Sequence, residues 1–372
     1  MKLTIERATL LKSLTHVQSV VERRTTIPIL SNVHLAAGDG ALGVTATDMD
    51  LVVVEKVPAE VDRAAAATAA AHMLYDIVRK LPEGAQVDIE TVAGGDHLTL
   101  RAGHADFSLP ALPAEEFPVM AEGEYSHAFA LPAANLRRLI DKTRFAISTE
   151  ETRYYLNGIF VHAADGDEGA VLRAVATDGH RLSRVDVPLP EGAADMPQVI
   201  VPRKTVTELR KLVEDVDGDV AISVSETKMR FAFDAIVLTS KLIDGTFPEY
   251  DRVIPAENDK FLTIDGKRFA EAVDRVATIS TEKTRSIKLA LTKGRLVISA
   301  NSPDSARASE ELEVEYDAPD LQIGFNSRYL LDMAGQVDGE DIRFDMADSV
   351  SPTVMRDTAD SSALFVLMPM RV

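Results

Sequence analysis

The chain has 372 residues, 46% of them hydrophobic, with a formal net charge of −19 from 40 Lys and Arg against 59 Asp and Glu. It is long enough to bury two or three cores of ordinary domain size, and no apolar run approaches a membrane span, so no membrane partner is expected. The absence of cysteine excludes disulfide scaffolds and thiolate metal sites, and the N-terminus has no uninterrupted apolar stretch of signal-peptide type; the expectation is a cytoplasmic protein.

An alternating strand at 2–5 leads into a helix-period stretch at 8–21, where Leu10, Leu11, Leu14, Val17 and Val21 recur at helical spacing. A strand opened by Gly40-Ala41-Leu42 ends in Ala46-Thr47-Asp48. The Ala-rich stretch 64–71 reads as a loop or helix entry, followed by a helix at 72–81, a polar turn at Gly84 and another alternating strand. The order then restarts: a strand at 127–131, a helix at 133–147, a strand ending in Ala176-Thr177-Asp178, a helix at 205–213 and a turn at Gly218. It restarts again with a strand at 261–264, a helix at 267–279, a strand ending in the degenerate Ser299-Ala300-Asn301, a helix at 327–335 and a turn at Gly339.

Two short motifs share one offset. Ala46-Thr47-Asp48 returns as Ala176-Thr177-Asp178 and Phe117-Pro118 as Phe247-Pro248, both 130 residues on. The chain therefore reads as three tandem copies of an α+β unit with two helices among many strands, at 1–122, 123–256 and 257–372, joined by linkers at 120–125 and 254–259. Triplication of this kind builds rings and arrays more readily than one catalytic pocket.

The overall acidity argues against nucleic acid only on average; placement decides. The six helical segments with their flanks (7–24, 71–81, 132–147, 202–214, 266–279 and 326–336) hold 18 basic and 8 acidic side chains, a net of +10, which leaves −29 on everything else. Helix surfaces accept Glu as readily as Lys or Arg. If the helices of all copies face one way, they form a basic wall that attracts a polyanion through its phosphates without reading bases; a merely solvated face is the alternative.

Six blocks in order along the whole chain resemble one family. Thr26-Ile27-Pro28-Ile29-Leu30-Ser31-Asn32, Thr152-Arg153-Tyr154-Tyr155-Leu156-Asn157-Gly158, Ala176-Thr177-Asp178-Gly179-His180-Arg181-Leu182, Val201-Pro202-Arg203-Lys204, Ser240-Lys241-Leu242 with Phe247-Pro248-Glu249-Tyr250, and Met368-Pro369-Met370-Arg371 are similar to bacterial DNA polymerase sliding clamps. The resemblance implies a three-domain protomer that dimerises head to tail into a closed ring, with helices lining the hole and sheets outside. Duplex DNA would pass through the ring, and the replicative DNA polymerase, a clamp loader and other proteins carrying a short clamp-binding peptide would be its partners. No cofactor, metal or catalytic residue is implied.

Carried over by position, the resemblance implies DNA contacts at Arg24, Arg203, Lys204 and Arg252, with Tyr154 and Tyr155 beside them. A helix C-terminal cation for Arg24 and strand packing for the tyrosines are the plain alternatives. It implies a partner-peptide cleft at Leu156, Thr177, Gly179, His180, Arg181, Leu182, Pro248, Val253, Val366, Met368, Pro369, Met370 and Arg371. Leu, Val, Met and Pro suit a greasy, adaptable pocket, and 366–370 also reads as the final strand of the third copy. For the ring contact it implies Phe107, Leu109 and Ile279, with Thr278 where the family pattern is commonly apolar.

Asp178-Gly179-His180 also invites a general-base reading. No nucleophile motif, phosphate-cradling Gly loop or metal-ligand spacing accompanies it, so a non-enzymatic protein is expected.

Overall fold

The computed structural model describes residues 1–92, 94–121, 123–167, 169–280, 285–302 and 306–371. Glu122 and Val372, where the first and third copies are expected to end, lie outside the described residues. The described α-helices are α1 (Arg7–Val17), α2 (Ala71–Lys80), α3 (Ala133–Asp141), α4 (Arg203–Leu212), α5 (Gly266–Ala277) and α6 (Ser327–Ala334), set among many antiparallel strands.

Local causes are legible at α5 and α6. The Asp265 carboxylate caps α5 by accepting from the Arg268 N–H at 2.8 Å, and Phe269, Ala272, Val273 and Val276 form its buried stripe. The Asn326 side chain caps α6 by accepting from the N–H groups of Arg328 and Tyr329.

Three helices are shorter than their apolar spacing suggests. α1 stops at Val17 because the Val20 N–H turns back to the Val17 carbonyl at 3.1 Å; Val20 and Val21 remain buried, so the apolar pattern outlasts the helix. α3 stops at Asp141 and is followed by the 3-10 turn Arg144–Ala146. α5 stops at Ala277 and leaves Ile279 beyond its end. The Ala-rich stretch enters helix α2 only at its last residue, Ala71; the rest is not loop. It is the strand Ala65–Ala70, paired with Asn32–Gly38 and pinned by buried Thr68, which accepts from Asn32 at 3.0 Å and donates to the Leu112 carbonyl at 2.8 Å.

The chain packs as two compact units. The first comprises Met1–Ala134, Pro190–Pro197 and Lys204–Leu242. It holds a five-stranded sheet, in the order Glu60–Arg63, Lys2–Glu6, Gln86–Thr91, His97–Ala102, Ala105–Pro110, and an eight-stranded one. The second unit comprises Asn135–Leu189, Gln198–Arg203 and Ile243–Val372, with a nine-stranded sheet and a four-stranded one in the order Arg307–Glu313, Arg295–Asn301, Ser286–Thr292, Leu321–Asn326.

Both units follow one pairing rule. In the first, the strand after Ala46-Thr47-Asp48, Leu51–Pro58, pairs with Ile236–Lys241, the last strand of the second copy, with Val53 opposite Leu238. In the second, the strand after Ala176-Thr177-Asp178, Arg181–Pro188, pairs with Ala363–Leu367, the last strand of the third copy, with Leu182 opposite Val366. Consecutive copies are thus fused through sheet hydrogen bonds. Two strands of the same kind have no such mate. Ala105–Pro110, the last strand of the first copy, and Arg307–Glu313, the strand after Ser299-Ala300-Asn301, are each outermost in their sheets among the described residues.

Candidate functional site

The repeated Thr-Asp motif is a turn-forming device. Thr47 Oγ1 donates to the Leu51 carbonyl at 2.8 Å and accepts from the Met49 N–H at 3.1 Å; Thr177 Oγ1 does the same with the Arg181 carbonyl at 2.7 Å and the Gly179 N–H at 3.1 Å. Asp48 accepts from the N–H groups of Asp50 and Leu51, and Asp178 from those of His180 and Arg181. The residue after each Asp is left-handed, Met49 at φ 82° and Gly179 at φ 87°. Only glycine adopts this without cost. Gly179→Ala is expected to cost about 1–2 kcal/mol, and Met49→Gly to be neutral or stabilising by up to about 1 kcal/mol; urea denaturation of the two variants checks both.

The same turn positions Arg181. Its Nε donates to Asp178 at 3.1 Å, Nη1 to Asp332 of α6 at 2.6 Å and Nη2 to the Phe145 carbonyl at 2.6 Å, while the guanidinium lies 4.3 Å from the Tyr329 ring centroid. Arg181 is 8% exposed, so this set of partners offsets the desolvation of its charge. Asp178 spends its carboxylate on backbone N–H groups and Arg181, so it does not serve the His180 ring as the carboxylate of a general-base pair would.

Within the second unit an open cavity of about 270 Å³ gathers ten of the expected cleft residues: Leu156, Thr177, Gly179, His180, Arg181, Leu182, Pro248, Val253, Val366 and Met368. Its floor is the top of an apolar cluster in which Leu156, Leu182 and Val366 are buried and the Phe160 and Phe247 rings stack at 4.7 Å. Val253 and Met368 stand exposed at its edge, and the Met368 N–H donates to the His180 carbonyl at 2.9 Å. Pro369, Met370 and Arg371 do not line it; the chain turns away, and the Met370 N–H bonds the Gly324 carbonyl at 2.8 Å. Arg153, Tyr155, Glu249 and Tyr250 line the cavity as well. They sit inside motifs already singled out, but Arg153 and Tyr155 lie in the 3-10 turn Glu151–Leu156, Tyr250 in the 3-10 turn Tyr250–Val253 and Glu249 directly before it, so their side-chain directions do not follow strand or helix periods.

The expected cations are placed unequally. Arg24 is exposed in the loop after α1, and Arg203 is exposed at the start of α4. Lys204 is half-buried; burial disfavours its charge, but Asp48 at 2.5 Å and Glu22 at 3.3 Å outweigh that and hold its pKa above the ordinary value. Arg252 is exposed and pairs with Glu249 at 2.5 Å. Tyr154 is exposed, with its ring edge-on to Tyr155. On helix α3 and just beyond it, Arg138 bonds Asp360 and Ser362, and Lys142 bonds Asp338 and the Gln336 carbonyl. Part of the helical charge is therefore structural. Of the expected ring-contact residues, Phe107 is half-buried on the outermost strand Ala105–Pro110, Leu109 on that strand is core, and Ile279 is half-buried past α5.

Comparison with known proteins covers the whole chain. Family models described as DNA polymerase III beta subunit, N-terminal, central and C-terminal domains match residues 1–121, 130–249 and 251–371. A beta sliding clamp of Caulobacter vibrioides is 54% identical over 372 residues, covering 100% of both chains. The crystal structure of a sliding clamp from Bartonella birtlesii bound to griselimycin superposes with a TM-score of 0.97 at 48% identity, covering 100% of both chains. That of the Caulobacter crescentus clamp with polyethylene glycol bound gives a TM-score of 0.97 at 54% identity, covering 100% of this chain and 99% of that one.

Proposed function

Because the chain belongs to the DNA polymerase III beta subunit family, the beta sliding clamps, we propose that two copies close head to tail into a ring around duplex DNA. The protein is a non-catalytic processivity subunit with three tandem clamp domains, for which 1–122, 123–256 and 257–372 are the limits we propose. No helix among the described residues is long and apolar enough to cross a membrane.

One observation carries the ring: the pairing rule between copies is left open at both ends. Each internal seam joins the last strand of one copy to the strand after the Thr-Asp turn of the copy before it. Ala105–Pro110 and Arg307–Glu313 are the unused halves of that same pair. Joining them within a chain would need the third copy to meet the first; joining them between two chains gives two identical heterologous contacts, and such contacts can close. Closure also removes two exposed strand edges that would otherwise invite aggregation. Phe107 and Ile279 are the side chains we assign to this contact, with Leu109 supporting the strand from the core.

Inside the ring, Arg24, Arg203 and Arg252 hold DNA through phosphates, with Tyr154 beside them, and Lys204 contributes to the local potential while tied to Asp48. Few, sequence-blind phosphate contacts let the ring slide. The cavity at Leu156, Leu182, Val253 and Val366 takes the apolar anchors of a short peptide carried by the polymerase, the clamp loader and other partners. An apolar, largely preformed concavity with a few polar groups at its edge has the character of a ligand site.

Griselimycin, the ligand of the Bartonella clamp, is the probe for this cavity. Calorimetry is expected to show saturable binding to the protein and a loss of about thirtyfold or more in Val253→Glu, since a carboxylate cannot be desolvated against the apolar floor without cost. Unchanged affinity in that variant would place the ligand elsewhere.

A further inference from the structure

Behind the cavity wall lies a buried polar group that none of the roles above uses. His162, on the strand Gly158–Gly166, is 8% exposed. Its Nδ1 is 2.9 Å from the Ala163 carbonyl and its Nε2 is 3.0 Å from the hydroxyl of Tyr250, which lines the cavity. A carbonyl oxygen can only accept, so Nδ1 carries the proton and neutral Nε2 accepts from Tyr250. Arg173 approaches the same hydroxyl at 3.5 Å and is itself forked onto Asp186 by two bonds of 2.7 Å. The phenol thus accepts from Arg173 and donates to His162.

We propose that His162 is a positioning residue for the cleft: in its neutral form it holds the Tyr250 ring in the wall, and protonation releases that ring and weakens binding of an apolar peptide ligand. This rests on the cleft reading above. Protonated His162 has an N–H at both ring nitrogens, so Tyr250 would receive two donors and its own hydrogen would lose its acceptor. The new charge would also lie beside a guanidinium. The charged and titratable groups facing His162 are Arg173 and Asp186 on neighbouring strands and Tyr250 and Asp251 on the turn Tyr250–Val253, with Arg184 beside Arg173 and Asp186. Burial pushes the His162 pKa below its ordinary value, more than the Ala163 carbonyl raises it. The fold therefore binds fewer protons here than the unfolded chain, and the contact is complete above about pH 6.5 and lost progressively below it.

The test is griselimycin affinity of the full-length protein across pH, with folding followed by circular dichroism. Wild type is expected to lose more than about twofold and less than about tenfold between about pH 7.5 and about pH 5.5, by linkage of proton and ligand binding, because the lowered pKa of His162 leaves part of the protein neutral at the lower pH. His162→Gln offers a neutral acceptor that does not titrate, so it is expected to bind like wild type at the higher pH and to lose less than about twofold. His180 lines the cavity in both proteins, so its contribution cancels in their ratio. A His162→Gln profile that parallels wild type would overturn the inference while leaving the cleft intact. No binding by wild type at the higher pH would sink the cleft reading and this inference together. Should His162→Gln not fold, Tyr250→Phe replaces it, with weaker binding at the higher pH and a flatter profile expected; a profile parallel to wild type overturns the inference here too.

Discussion

Arg181→Ala is expected to destabilise the chain by about 3–5 kcal/mol, the range for removing one partner of a buried ion pair. The guanidinium joins the turn at Asp178, helix α6 at Asp332 and the Phe145 carbonyl, between the rings of Phe145 and Tyr329. Its loss takes the donor from the part-buried Phe145 carbonyl and a cation from Asp178 and Asp332, of which Asp332 keeps Arg328 at 3.9 Å. Asp332 is partly exposed and recovers some hydration, which points to the lower half of the range. Arg181→Lys keeps the charge without the fork and is expected to recover less than half of the loss. Urea midpoints for the two variants check this. Griselimycin binding should fall alongside, because the same turn carries Gly179 and His180 into the cavity wall.

Phe107→Asp is expected to raise the dissociation constant between copies at least about a hundredfold, as for a central aromatic anchor, with little change in the stability of the single chain. Phe107 is half-buried on the outermost strand, so a carboxylate there stays hydrated in the isolated protomer but not under a second chain. Leu109→Asp, two residues on, should instead unfold the first copy, because Leu109 is core and opposite buried Leu98. Sedimentation of both variants separates the two effects; equal loss of dimer with equal loss of fold would remove the distinction between contact and core.

The sequence made the duplication of the first two copies legible because the Thr-Asp turn needs both side chains: the threonine to bridge the hairpin and the aspartate to collect two N–H groups. It did not show the seams. Nothing local in Ile236–Lys241 says that its mate is Leu51–Pro58, nearly two hundred residues earlier. The count of helical charge had the same blind spot. Arg138, Lys142 and Lys204 look available in one dimension, yet Asp360, Asp338 and Asp48 hold them across long stretches of chain. At the cavity, the positions carried over from the family resemblance include most of the lining. Tyr250 and Arg153 were missed because 3-10 turns present them, and Glu249 because it stands at the entry to one. The Ala-rich strand was misread because alanine lacks a β signature and its pairing, not its propensity, makes it a strand.

The most direct test is retention on DNA of two topologies. The protein is loaded with a clamp loader and ATP onto nicked circles, and half of the sample is then linearised. Encirclement predicts that the protein stays on circles through a salt wash and is lost rapidly from linear molecules with free ends. Equal loss from both, with loading shown to be competent, would mean that the protein only touches DNA and that the open strands Ala105–Pro110 and Arg307–Glu313 do not close a ring.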